Sequence, residues 1–124
     1  MAEVLERFPV LSYVDNGMPH GTLAYRRLME TLARSGSRYL NAMERAIDLG
    51  TATLRLFPPP PNATTQNGAS LGVLVEHGEF RALLTGDAAW ETIQHWLTAG
   101  VPTVTVLKAA HHGARDGVTP AWLV

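Results

Sequence analysis

Two histidines stand side by side at the end of a predicted strand. His111 and His112 follow the apolar run 103–107, which the sequence predicts as a buried strand. Asp87 stands in a comparable place, just after the apolar run 80–85. Imidazole and carboxylate groups are both metal ligands, and a turn after a strand lets them converge on a metal or a substrate. Two strands that end in such residues favour a shared site over coincidence.

Each candidate ligand also has a plainer interpretation. Asp87 precedes a predicted helix, and Asp is a preferred N-cap residue, so capping alone would explain its position. One carboxylate oxygen can cap while the other binds a metal, so both roles are compatible. Adjacent residues of an extended segment point to opposite sides. We therefore expect one histidine to bind the metal and the other to orient it or contact substrate, with His112 favoured over His111 as the ligand.

Three further polar residues are candidates for the substrate side of the site. Asn67 and Ser70 open a predicted hairpin, where both residue types also serve simply as turn formers. Lys108 precedes the histidines and is placed to contact an anion, although an exposed lysine at a strand end is the more ordinary interpretation. The loop acids Asp15 and Asp116 stay ambiguous between turn residues and functional groups.

Composition limits the classes of function that this chain can have. Its 124 residues allow at most one domain, and 46% hydrophobic with 17% charged residues is typical of a globular protein. A formal net charge of -1 provides no footprint for non-specific nucleic-acid binding. The absence of cysteine excludes disulfides and thiolate metal sites. No apolar run approaches the roughly 18 residues of a membrane span, and no signal-peptide core is present.

The first half of the chain predicts short strands around one helix. The helix begins at the N-cap Thr22 and ends at Gly36. Strands are predicted for residues 9–14, 39–40, 46–47 and 52–56. Four prolines at residues 58–61 then break regular pairing, either as a domain linker or as a rigid loop within one domain. We prefer the loop, because neither flank is long enough to hold a core alone.

The second half predicts a hairpin, a helix and a strand, in that order. Residues 70–76 and 80–85 form the hairpin through the turn His77-Gly78-Glu79. Helix 88–98 is expected to stop at Gly100 and to bury a stripe formed by Ile93, Trp96 and Leu97. A last helix begins at Thr119-Pro120. Because Val124 comes barely one turn into that helix, we expect the natural sequence to continue.

Three short motifs, taken together in chain order, resemble those of a known superfamily. They are Asn67-Gly68-Ala69-Ser70, then Leu83-Leu84-Thr85-Gly86-Asp87-Ala88, then Val106-Leu107-Lys108-Ala109-Ala110-His111-His112-Gly113. The combination resembles the metallo-β-lactamase fold superfamily, and within it the hydrolase domain of the ComEC-type competence proteins, which import DNA in bacteria. The similarity extends back to Phe8-Pro9-Val10 and Tyr25-Arg26-Arg27, so it covers most of the chain.

The resemblance implies an α/β (α+β) fold, namely a partial αββα sandwich with a mixed sheet, and a metal-dependent hydrolase activity. It implies one or two zinc ions, or manganese, with Asp87 as the bridging carboxylate and His112 or His111 as the last histidine ligand. Asp87 and His112 would then be the catalytic residues. The implied substrate is a phosphodiester, including DNA. The resemblance implies a soluble bacterial domain, either as a separate protein or as the extracytoplasmic part of a membrane protein, and leaves the compartment open.

The chain also departs from the family pattern. The principal metal motif, His-x-His-x-Asp-His, is absent, because no two histidines are spaced by one residue, and Ala114 replaces the usual serine after His-His-Gly. We therefore interpret residues 1–124 as one partial domain that lacks its N-terminal half and is inactive or poorly active alone. The alternative function is a non-catalytic half-domain that binds a complementing chain or forms a homo-oligomer. The alternative fold is a small α/β domain in which Asp87 caps a helix and both histidines face solvent.

Overall fold

The computed structural model describes residues 1–43 and 45–122 and confirms a mixed α/β chain. Its backbone contacts divide it into two compact units, Met1–Asn41 and Ala42–Val124. In the described part, no helix is both long and apolar enough to cross a bilayer. The finer expectation, a partial αββα sandwich that forms a single domain over residues 1–124, stays a prediction.

The first unit combines two helices with two short parallel strands. Its elements are α1 (Ala2–Arg7), β1 (Ser12–Asp15), α2 (Leu23–Ser35) and β2 (Arg38–Asn41). β1 pairs in parallel with β2, and α1 contacts α2. Buried side chains in these helices are Leu5, Thr31 and Leu32. The short helix α1 was not predicted from the sequence.

Helix α2 has the boundaries that its sequence predicts. The Thr22 hydroxyl accepts a hydrogen bond from the Tyr25 backbone N–H at 3.2 Å, which satisfies one of the free donors of the first turn. The helix ends at Gly36, which adopts a left-handed conformation with φ of 74°. A residue without Cβ takes this conformation at little cost, so the capping prediction is confirmed at both ends.

The second unit contains a five-stranded mixed sheet and one helix. Its strands are β3 (Arg45–Asp48), β4 (Thr53–Phe57), β5 (Gly72–His77), β6 (Phe80–Leu84) and β7 (Val106–Leu107), and its helix is α3 (Trp90–Thr98). They lie in the order β3-β4-β5-β6-β7. The first three pairs are antiparallel, whereas β7 pairs in parallel with β6. The predicted hairpin is confirmed, with Gly78 at φ of 56° in its two-residue turn.

The core of the second unit lies between the sheet and α3. Phe57, Leu74, Leu83, Ile93 and Trp96 are all fully buried. The predicted stripe of α3 is confirmed, with Leu97 partly buried against the same cluster. The Trp96 indole N–H donates to the Pro58 carbonyl oxygen at 2.7 Å. This bond ties the proline run into the unit, as expected for a rigid loop rather than a linker.

The strand before the histidines differs from its prediction. Only Val106 and Leu107 of the expected buried strand 103–107 are paired as strand, and Val106 is 49% exposed. The prediction of a buried strand was wrong, because in the described part of the chain β7 lies at the edge of the sheet, with β6 on one side and no strand on the other. In place of the expected last helix, Pro120–Trp122 form a short 3₁₀ turn. Leu123 and Val124 lie outside the described residues.

Candidate functional site

The ends of β6 and β7 bring the two predicted motifs together. The strands are parallel, with Leu83 opposite Leu107, so the turns that follow them leave the same edge of the sheet. The His111 backbone N–H donates to the Gly86 carbonyl oxygen at 3.3 Å and joins the two turns directly. The backbone therefore places Asp87 near the histidines, as the positions of the two motifs led us to expect.

The histidine turn has an unusual backbone conformation. His111 (φ 47°, ψ 45°) and His112 (φ 55°, ψ 25°) are both left-handed, and they are the non-glycine residues with positive φ in the described chain. This conformation costs about 1–2 kcal/mol for each residue that carries a Cβ. The expectation of an extended segment was wrong, because Ala110–Gly113 form a tight 3₁₀-type turn. Alternation across a strand therefore does not decide which imidazole meets a ligand.

A second turn packs closely against this one. A Cβ added at Gly117 would lie 2.4 Å from the Ala110 carbonyl oxygen, so no other residue fits there without displacing the backbone. The Ala114 N–H donates to His111 O at 2.9 Å, and the Gly117 N–H donates to Ala114 O at 2.9 Å. These contacts hold segment 110–117 in the conformation that the histidines require.

Asp87 and His112 face each other at the open side of the turns. His112 Nε2 lies 3.5 Å from Asp87 Oδ1, and the side chains are 81% and 45% exposed. The separation is longer than a good hydrogen bond, and solvent screens an ion pair at this exposure. The pair therefore contributes little to stability, and both groups are accessible to a ligand from solution.

Asp87 does not cap the following helix. α3 begins at Trp90, its N-cap is Ala89, and no side chain makes the capping hydrogen bond. Asp87 instead lies two residues earlier, in a turn where the Ala88 N–H donates to the Thr85 carbonyl oxygen at 3.2 Å. The capping interpretation was therefore wrong, and helix termination does not account for the carboxylate.

His111 is held on both sides of its ring. Nδ1 lies 3.0 Å and 3.2 Å from the two carboxylate oxygens of Asp116, and Nε2 lies 3.2 Å from the Asn67 side-chain nitrogen. These contacts are all satisfied when Nδ1–H donates to Asp116 and Nε2 accepts from the Asn67 amide. Both ring nitrogens are then occupied, which leaves no lone pair for a metal ion.

The Asn67 loop reaches the same site through its backbone. The Asn67 carbonyl oxygen accepts from Ser70 N–H at 3.1 Å and from Ala89 N–H at 3.3 Å. A Cβ added at Gly86 would come within 3.7 Å of the Ser70 hydroxyl, so Ser70 lies against the Gly86 turn. Two of the three substrate-side candidates, Asn67 and Ser70, are therefore placed beside the turn that carries Asp87.

Lys108 is engaged with backbone oxygens. Its Nζ donates to the Gly86 carbonyl at 3.0 Å and to the Ala109 carbonyl at 3.2 Å. The fully buried Thr85 hydroxyl donates to the Lys108 carbonyl at 2.8 Å and joins the same two turns from inside. The sequence left Asp116 ambiguous between a turn residue and a functional group, and no role was predicted for Thr85, whose contact joins segments 23 positions apart.

The described residues fit a zinc or manganese site only in part. Among residues 1–43 and 45–122, no group of three or more histidine, aspartate or glutamate side chains is placed to hold a metal. A catalytic zinc needs about three protein ligands. Asp87 and His112 would supply two, and His111 is taken up by Asn67 and Asp116. The residues that the structure describes therefore do not complete the implied metal centre.

No family model matches this chain, and no curated protein matches it. The resemblance to the metallo-β-lactamase superfamily therefore depends on the three quoted motifs.

Proposed function

We propose that this chain carries one side of a metal-dependent hydrolase site of the metallo-β-lactamase type, with a phosphodiester such as DNA as substrate. The observation that supports it is the meeting of Asp87 and His112 at 3.5 Å, after two parallel strands and at an exposed position. Helix capping does not explain Asp87, and His111 and His112 both adopt the left-handed conformation, which is costly for a residue with a Cβ. A strained backbone at an exposed polar pair is typical of a functional site.

In this proposal the two histidines have different roles. Asp87 and His112 are the ligands, and His111 is a positioning residue that joins the Asn67 loop to segment 110–117. Because two ligands do not make a catalytic centre, the remaining ligands come from outside the described residues, such as a complementing chain. The chain alone is therefore inactive or poorly active, and no catalytic step is assigned to it.

Metal binding by the chain itself tests the proposal. We expect calorimetric titration with Zn²⁺ to show one weak site, and Asp87→Asn and His112→Ala each to weaken it about ten-fold or more, which is about 1.4 kcal/mol. His77→Ala is the matched control, because His77 is an exposed histidine at the end of β5, away from these turns. Zn²⁺ binding that both site variants retain, or that the control variant loses, would overturn the proposal. In the protein completed by its missing ligands, full metal-dependent phosphodiester hydrolysis by both site variants would also overturn it.

A specific observation favours a second candidate, a non-catalytic module that binds a partner or a second copy. Strands β1 and β2 form a two-stranded parallel sheet, whereas parallel sheets normally bury both faces. Large apolar side chains of the same unit are exposed, including Phe8 at 63%, Leu11 at 82% and Leu23 at 78%. Two measurements test this candidate: light scattering gives the oligomeric state, and binding of a hydrophobic dye reports exposed apolar surface. A dimer is the supporting result, and a monomer that does not bind the dye is the contrary one.

A further inference from the structure

The dipeptide Asn-Gly occurs twice in this chain, as Asn16-Gly17 and Asn67-Gly68. The backbone nitrogen that follows an asparagine can attack the side-chain amide carbon and close a five-membered succinimide ring. Glycine in the second position favours this reaction, because it has no Cβ to hinder the approach. The two copies share the same intrinsic chemistry, so any difference between them comes from the structure around each.

At Asn16, the turn places a hydrogen-bond partner beside the attacking nitrogen of Gly17 and another beside the side-chain oxygen of Asn16. The Gly17 N–H donates to Asp15 Oδ1 at 2.8 Å, so the proton of the attacking nitrogen already faces a carboxylate. The Met18 N–H donates to Asn16 Oδ1 at 2.9 Å, so the amide oxygen that gains charge during attack faces a donor. These are the positions of a general base and of an oxyanion donor.

Gly17 lies in an exposed turn. Gly17 itself is exposed, and Asn16 is half-buried. The atoms nearest to a Cβ placed at Gly17 belong to the side chain of Asn41, the closest at 2.8 Å. The nearest neighbour of the attacking residue is therefore a side chain and not backbone.

At Asn67, the attacking nitrogen and the side-chain amide have different partners. The Gly68 N–H donates to the Thr65 hydroxyl at 2.9 Å, and a neutral hydroxyl is a far weaker base than a carboxylate. The Asn67 side-chain amide contacts His111 at 3.2 Å, which fixes its orientation. Gly68 is buried, so ring closure there would require the site to open.

We propose that Asn16-Gly17 is a site of spontaneous self-modification, in which Asn16 converts to aspartate and isoaspartate. The Gly17 nitrogen bonds to Cγ of Asn16, its proton passes to Asp15, and the Cγ–Nδ2 bond breaks. The proton leaves with the departing ammonia, so Asp15 is regenerated. Water then opens the succinimide at either carbonyl, with no oxidant or reductant needed. This inference is independent of the proposed function.

The modification would change the end of β1. It places a second negative charge next to Asp15, which accepts a hydrogen bond from the Tyr39 hydroxyl of β2. Isoaspartate also adds one methylene to the main chain between residues 16 and 17. Both changes act on the turn that follows the last β1–β2 pair, Asp15 and Asn41, so we expect the end of this small sheet to loosen.

Peptide mapping by mass spectrometry, on the folded chain held at neutral pH, tests the proposal. We expect Asn16 to convert about ten-fold or more faster than Asn67, a barrier difference of about 1.4 kcal/mol. In urea, where both turns are lost, we expect the two rates to converge. Asp15→Asn keeps an acceptor oxygen but removes the base, so it should slow conversion of Asn16 in the folded chain and leave Asn67 unchanged.

Three results would overturn it. The first is conversion of Asn67 as fast as that of Asn16 in the folded chain. The second is slower conversion of Asn16 in the folded chain than in urea, which would mean that the turn protects the residue. The third is an unchanged Asn16 rate in the Asp15→Asn chain, provided that circular dichroism shows the fold to be intact.

Discussion

Replacing His111 and His112 one at a time with glycine separates the roles of the two imidazoles. Both residues are left-handed, so glycine relieves a similar backbone strain at each position and adds a similar entropy to the unfolded chain. These backbone effects cancel when the two variants are compared. What remains is the difference between the side-chain contacts of the two residues.

The contacts of the two side chains differ clearly. His111 bonds to Asp116 at 3.0 Å and to Asn67 at 3.2 Å, and each such bond is worth about 1 kcal/mol. Among the described residues, the polar contact of His112, which is 81% exposed, is the 3.5 Å approach to Asp87, worth about 0.5 kcal/mol or less. We therefore expect His111→Gly to be about 2 kcal/mol less stable than His112→Gly. Against the parent chain, His112→Gly should be neutral or slightly stabilised.

Urea unfolding followed by tryptophan fluorescence measures this difference. All three tryptophans, Trp90, Trp96 and Trp122, belong to the second unit, so their signal reports the unit that contains the site. Equal stability of the two variants would refute the role assigned to His111, which is to join the Asn67 loop to segment 110–117. A His112→Gly chain that is clearly less stable than the parent would refute the claim that the His112 side chain contributes little to the stability of the fold.

Two further predictions concern other parts of the chain. Gly117→Ala should destabilise the second unit by about 3 kcal/mol in urea unfolding, because the new Cβ would overlap the Ala110 backbone, whereas Gly21→Ala, with open space around it, should change little. The pKa of Tyr39 is raised above its ordinary value of 10.0, first by the hydrogen bond to Asp15 and then by burial. The protonated Tyr39 hydroxyl therefore stabilises the folded chain fully below pH 10.0, and this stabilisation is lost as the pH rises through the folded-state pKa. Phenolate absorbance, which measures this pKa, should show that Asp15→Ala returns it toward 10.0.

Local signals in the sequence predicted the elements whose boundaries depend on neighbouring residues. Thr22 and Gly36 bound α2 because a hydroxyl cap and a residue without Cβ act within one turn of the helix. The hairpin around Gly78 follows for the same reason, since its turn needs only two residues with suitable backbone angles. The meeting of Asp87 with the histidines was also predictable, because it depends on where two apolar strands end.

Contacts between distant segments decided the rest. His111 was predicted to lie in an extended segment, but its carbonyl and imidazole are bound by residues that follow it and by Asn67, 44 positions away. No periodicity in the sequence encodes such a contact. Likewise, the apolar run before the histidines predicts a buried strand, yet Val106 of β7 is 49% exposed, because among the described residues β7 has a strand neighbour on one side alone. Residue types and their positions along the chain predicted which side chains could form a site. Packing between distant segments set which imidazole is bonded on both ring nitrogens, His111, and which lies exposed beside Asp87, His112, because the partners of a ring nitrogen depend on tertiary contacts.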